Sequence, residues 1–288
     1  MYSQIASNKR KTWAVMAMFF VIIAILGWLY GQYMGDVNFA YVALIVAAIY
    51  ATVQYFIAGK LALSVSGAKQ IDRADNPRFY SIIENLTITT GLPMPKVYVI
   101  DDSAPNAFAT GRNPQTASVA ATSGLINMMT DRELTGVMAH EMSHVGNFDI
   151  KVSLVAFGLT SAISFLADMM IRSSFYGRNS RDRNNNASIL LIIGAILAPI
   201  AAILIQLAVS RQREYLADAT ASLTTRDPDG LANALEKLAE DQQVLKHSNS
   251  SMANMYIKNP LKIGFLSNLM STHPSLESRI KRLRSGGF

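Results

Sequence analysis

The sequence predicts a mainly α-helical membrane protein, with transmembrane helices joined to an α+β domain that carries a small sheet. Three observations predict it. Half of the 288 residues are hydrophobic and only 16% are charged, against about 25% charged in an ordinary soluble domain. The shortfall is concentrated, because residues 12–35, 37–59, 152–167 and 184–210 contain no Asp, Glu, Lys or Arg. Elsewhere charge is near normal, apolar residues recur at helical spacing, and a few short β-branched runs lie between them. This pattern excludes a wholly soluble chain, a disordered chain and a pure membrane bundle. The absence of cysteine excludes disulfides, thiolate nucleophiles and Cys-ligated metals.

Residues 13–33 exceed the roughly 20 apolar residues that cross a bilayer, and the run is too long for a cleaved signal. Lys9, Arg10 and Lys11 precede it, and Trp28, Tyr30 and Tyr33 stand near its far end. A second span, 38–58, follows a short turn at Gly35-Asp36. Lys60, Lys69, Arg73 and Arg78 come after it. Basic residues thus flank both spans on one side, so the positive-inside rule puts the N-terminus and the chain after Lys60 in the cytoplasm. Residues 150–171 and 188–209 read as two further spans, the alternative being a buried helical hairpin. The loop 172–187 between them carries four Arg and one Asp.

The expected organisation is therefore a pair of N-terminal transmembrane helices (1–59), a cytoplasmic domain assembled from 60–149 and 211–288, and a second transmembrane hairpin (150–210) inserted in it. Within the domain, Asp75-Asn76-Pro77 opens a helix over 78–90, which Gly91-Leu92-Pro93 stops. Residues 96–100, 106–110 and 117–122 read as strands, the last two joined by a turn at Gly111-Arg112-Asn113-Pro114. Thr130-Asp131-Arg132-Glu133 has the form of a capping box and starts another helix. Helices are also expected over 212–223, about 231–244 and about 275–284. No phosphate-cradling glycine loop and no nucleic-acid module appear.

The helix that starts at Thr130 contains His140-Glu141-Met142-Ser143-His144, two of the four histidines in the chain. Residues i and i+4 share a helical face, so both imidazoles reach one ion. Zinc accepts neutral imidazole and keeps a position open for water when it is catalytic. Glu141, at the edge of that face, can take a proton from water that the ion acidifies. A third ligand is required, and His247, His273 and the acids are candidates. Glu214 and Asp218 are again i and i+4. Glu214 can ligate the ion while Asp218 supports a ligating imidazole, or both belong to an ordinary amphipathic pattern with Arg211 and Arg213. Two crossings, or a hairpin that does not cross, bring the two halves of such a site to the same membrane face.

At this point the chain resembles the HtpX-type membrane metalloproteases, relatives of the CAAX prenyl proteases. The resemblance rests on the paired N-terminal spans, Pro105-Asn106-Ala107-Phe108, His140-Glu141-x-x-His144, Arg211-x-x-Glu214-Tyr215-x-Ala217-Asp218 and Thr272-His273-Pro274. It implies a gluzincin-type metalloprotease domain, one Zn2+ per chain, His140, His144 and Glu214 as ligands, and Glu141 as the base. It also implies membrane-protein quality control and stress response in a bacterial inner membrane, with unfolded or damaged membrane proteins as substrates.

The remaining pieces follow. The strand holding Asn106, Ala107 and Phe108 would edge the cleft, either as a plain structural strand or as one that a substrate peptide joins by backbone hydrogen bonds. His273, before Pro274, can donate to an oxyanion or simply enter a helix, and the resemblance favours the first. The basic C-terminal face (Arg279, Lys281, Arg282, Arg284) can rest on anionic headgroups or be solvated. Two other functions are compatible with the residues. One is a prenyl-protein-processing endopeptidase. The other is a non-enzymatic scaffold or transporter with a structural metal, in which Asp168 and Gln206 would be the intramembrane polar residues to suspect.

Overall fold

A computed structural model describes residues 2–34, 36, 38–176, 211–245, 255–258 and 274–286. The fourth apolar segment (188–209), His247 and His273 lie outside the described residues. In chain order the elements are α1 (Tyr2–Met34), α2 (Asn38–Val65), β1 (Ala68–Gln70), α3 (Pro77–Thr90), β2 (Lys96–Ile100), β3 (Ala107–Thr110), a 3-10 turn (Pro114–Thr116) and β4 (Ser118–Thr122). They continue with α4 (Ser123–Met128), α5 (Asp131–Gly146), α6 (Asp149–Tyr176), α7 (Arg211–Thr225), α8 (Pro228–Glu240) and α9 (Leu276–Ser285). The chain forms two compact units, one of residues 1–9, 59–154 and 209–288, the other of residues 10–58 and 155–208.

The first unit is built around a four-stranded mixed sheet in the order β1-β2-β4-β3. β2 and β4 are parallel, and the outer pairs are antiparallel. β4 is covered on both faces, every residue from Ser118 to Thr122 being buried, and its small Ala120 and Ala121 suit that position. Helix α5 is the spine of this unit. Thr130 caps it as expected: its hydroxyl accepts from the Glu133 N–H, and Glu133 accepts from the Thr130 N–H, a device that typically contributes about 1 kcal/mol. Lys237 on α8 adds an ion pair to Glu133 at 2.6 Å.

Leu134, Val137, Met138, Met142 and Val145 bury the apolar side of α5 in the main core, with Phe79, Ile83 and Leu86 from α3 and Leu231, Leu235 and Leu238 from α8. Gly136 lets the start of α8 come close, since a Cβ there would sit 2.8 Å from the Leu231 nitrogen. Two elements were not expected from the sequence. β1 has only three residues, and α4 only six. The helix expected over 231–244 begins earlier, at Pro228, because Asp227 caps it by accepting from the Gly230 N–H. It ends at Glu240.

The second unit contains the greater parts of α1 and α2 and the later part of α6. Its core is thin: Val15, Phe19 and Ile23 of α1, Ala47 and Ala51 of α2, and Val155, Leu159 and Ile163 of α6. Ala6–Trp28 and Ala40–Val65 are long and apolar enough to cross a membrane, and only 22% and 17% of an apolar 18-residue stretch in each is buried. Trp13, Val21, Ile25, Ile45, Ile49 and Phe56 are exposed. An apolar face this long is costly in water and matched to hydrocarbon.

Candidate active site

The sequence places His140, Glu141 and His144 on consecutive turns of α5, and the fold brings α7 against that face. The His140 and His144 Nε2 atoms are 3.2 Å apart. Glu214 from α7 places Oε2 3.6 Å from the first and Oε1 3.7 Å from the second. These atoms form the one three-ligand cluster found among the described residues. A tetrahedral zinc with bonds of about 2.0–2.1 Å would space its ligands about 3.3 Å apart, so the donor set fits that ion in both chemistry and spacing.

Each imidazole is held from behind by a carboxylate. His140 Nδ1 lies 2.9 Å from Asp218 Oδ1, and His144 Nδ1 lies 3.0 Å from Asp149 Oδ2. An Nδ1–H donated to a carboxylate leaves the Nε2 lone pair facing the centre of the site. The carboxylates are anchored in turn. Arg279 donates to Asp218 through Nε (2.8 Å) and Nη2 (2.6 Å). Asn8 Nδ2 donates to Asp149 at 2.7 Å and to the Asn147 carbonyl at 2.8 Å, and Arg213 lies 3.5 Å from Asp149.

Burial and charge set the proton affinities. Burial pushes Glu141 up from the ordinary carboxylate range. Burial and Arg279 oppose a charged His140, but its hydrogen bonds to Asp218 and Glu214 prevail and raise it to about 9. Burial likewise opposes ionised Asp218, while Arg279 and His140 hold it at about 2. Glu141 is 2% exposed and Arg279 0%.

His140, Glu141, His144 and Glu214 line a cleft with Ala109 of β3 and Met255, Tyr256 and Ile257 on its walls. Asn106, Ala107 and Phe108 are buried next to it. β3 is the terminal strand of the sheet, as expected. Its outer side, however, carries residues 255–258, with Phe108 bridged to Tyr256.

Four residues of this site were not placed in it by the sequence. Asp149 looks like an ordinary acid in the first turn of a helix. Asn8 and Tyr256 belong to no pattern. Arg279 looks like part of a basic outer face, which the structure corrects. It lies three residues after Leu276 and four before Leu283, so it shares their inward stripe and ends fully buried against Asp218. That spacing was the available signal.

Residues 73–286 match the model of Peptidase family M48. The chain belongs to that family. This M48 chain is 52% identical over 288 residues to the Protease HtpX homolog of Tropheryma whipplei (strain Twist), covering 100% of this chain and 99% of that one. It is 40% identical to the Protease HtpX homolog of Streptococcus gordonii (strain Challis), over 99% of each. The crystal structure of S. mikatae Ste24p shares the fold at 20% identity, with a TM-score of 0.52 over 98% of this chain and 67% of that one. Family membership makes the protein a metalloprotease, and its two long apolar helices fit a membrane-bound one.

Proposed function

We propose that this metalloprotease is a zinc endopeptidase that cuts unfolded or damaged membrane proteins at the cytoplasmic face of a bacterial inner membrane. The observation that carries this reading is the convergence of His140, His144 and Glu214, with both imidazoles fixed by carboxylates and Glu141 beside them. His140, His144 and Glu214 would hold a zinc ion, which would supply Lewis acidity to polarise the scissile carbonyl and acidify water.

The chain's own residues do the rest. Glu141 takes the proton of the attacking water and passes it to the leaving amine, helped by the burial that raises its proton affinity. Asp218 holds the His140 tautomer, and Asp149 does the same for His144. Asn106, Ala107 and Phe108 receive the substrate main chain as an added strand, which demands little of its sequence. His273, in Thr272-His273-Pro274, donates a hydrogen bond to the oxyanion. The layout is 1–59 as two spans, 150–210 as a second transmembrane hairpin, and 60–149 with 211–288 as the cytoplasmic protease domain. Lys9, Arg10, Lys11 and Lys60 support that orientation.

The test is proteolysis of an unfolded membrane protein by the detergent-solubilised chain and by Glu141→Gln, with zinc content measured in both. Cleavage by wild type and its loss in a zinc-loaded variant is the expected result. A zinc-loaded Glu141→Gln that cuts at the wild-type rate overturns the assignment. Labelling of Ser180→Cys from the cytoplasmic side only would overturn the third and fourth crossings.

A further inference from the structure

The outer side of β3 is where the proposed function seats the substrate strand, and in this structure the chain itself lies there. Tyr256 stands opposite Phe108 in an antiparallel bridge. The Ile257 N–H donates to the Ala107 carbonyl at 3.1 Å. Asn106 reads the main chain of Lys258 as a neighbouring strand would: its Nδ2 donates to the Lys258 carbonyl (2.8 Å) and its Oδ1 accepts the Lys258 N–H (3.2 Å). The Phe108 and Tyr256 rings meet edge to face at 5.1 Å. Met255, Tyr256 and Ile257 line the same cleft as His140 and Glu141. The Ala107 carbonyl and the Asn106 side-chain amide, which an incoming peptide would use, are therefore engaged by residues 257 and 258, and the Ala107 N–H donates to Asn106 Oδ1.

We infer that residues 255–258 are a built-in competitor for the substrate strand, latched by Lys258, and that a peptide binds only as they leave β3. The inference rests on the reading of β3 as the substrate edge. The pairing has the features of a displaceable strap. It is an isolated bridge and not a ladder, and most of its polar contacts run through one side chain, Asn106. Its anchor lies outside the cleft, where the Lys258 ammonium reaches the Asp241 carbonyl and, at 3.3 Å, the Asp241 carboxylate at the end of α8. A site that is open only part of the time shows an apparent affinity reduced by the open fraction. The latch thus sets the Michaelis constant and leaves the chemical step alone. The arrangement would spare ordered chains, since only a segment free to adopt an extended strand can replace it.

The native chain has no cysteine, which permits a clean test. Phe108 and Tyr256 form a non-hydrogen-bonded pair, whose Cα atoms are about 4.5 Å apart, within the range a disulfide spans. The double variant Phe108→Cys/Tyr256→Cys is assayed on an internally quenched ten-residue peptide, oxidised and then treated with a non-chelating reductant. Oxidation should slow cleavage at least about tenfold, and reduction should restore it. Equal rates in the two states overturn the strap. If the double variant is inactive in both states, Lys258→Ala decides. A fall in KM of about two- to tenfold with kcat unchanged is expected, and an unchanged KM overturns the proposal. A wild-type protein that cleaves nothing removes the substrate-edge reading itself. A wild type that cleaves, with the oxidised lock cleaving equally well, removes only the strap.

Discussion

The two histidine arms of the metal site use the same chemistry on different scaffolds. His140 is fully buried and is supported by Asp218 and then by Arg279, one charge clamped by another. His144 is 15% exposed and is supported by Asp149, which takes its hydrogen bond from the neutral amide of Asn8. In the first arm a buried carboxylate has a full counter-charge in a bidentate pair. In the second, Arg213 stands farther off, at 3.5 Å. The two carboxylates are equally buried, each 3% exposed, so the arms differ in how the counter-charge is placed: a close bidentate pair behind Asp218, and a longer ion pair plus an amide donor behind Asp149. Each offsets the desolvation cost of a buried carboxylate.

The largest expected effect tests what the arms share. His140→Ala and His144→Ala should each lose the metal, because two ligands do not hold a catalytic zinc. Metal content after dialysis reads this, and a variant that keeps a full equivalent would remove that residue from the ligand set.

The next effect separates the arms. Arg279→Met leaves Asp218 buried without its partner and should cost about 3–5 kcal/mol of stability, read as a shift of the denaturant midpoint. Arg213→Met should cost clearly less. Equal losses would mean that the arms are not built differently.

A third effect is a pH dependence. In the metal-free protein His140 holds its proton up to about 9, and zinc needs the neutral ring. Apparent zinc affinity should therefore rise about tenfold per pH unit towards pH 9 and then flatten. The stability that the charged His140 contributes to the metal-free protein runs the other way. It is complete below its unfolded pKa of about 6.5 and is lost as pH rises through about 9. Chelator competition and metal-free unfolding across pH 6–10 should show these opposite trends.

The smallest effect lies behind the ligands. Asp218→Asn and Asp149→Asn should each weaken zinc binding by about 10- to 100-fold, with Asp218 at the upper end. Chelator competition measures the pair, and a larger loss at Asp149 would reverse the ranking of the arms.

The same contrast explains what could be read in advance. The Thr130 cap, helix α5 and the pairing of His140 with His144 were legible because they depend on residues three or four apart. Glu214 and Asp218 share a face for the same reason. The long apolar helices α1 and α2 were legible because apolar length is a property of the chain itself. Asp149 was hidden because an acid at a helix start has a sufficient local explanation. Arg279 was misread as outward although its spacing from Leu276 and Leu283 put it on the buried stripe.

The chain order alone thus decided the helices, the long apolar runs and the two i, i+4 pairs, His140 with His144 and Glu214 with Asp218, since each follows from a helical repeat or a run of one polarity. Folding decided which carboxylate stands behind which imidazole, and what lies on the outer side of β3. Asp218 and Arg279 are 61 residues apart, Asn8 and Asp149 141, and Asn106 and Lys258 152. Local periodicity carries no information over such distances. These contacts exist because the packing of α5, α7, α9 and the sheet buries polar groups that must then find partners.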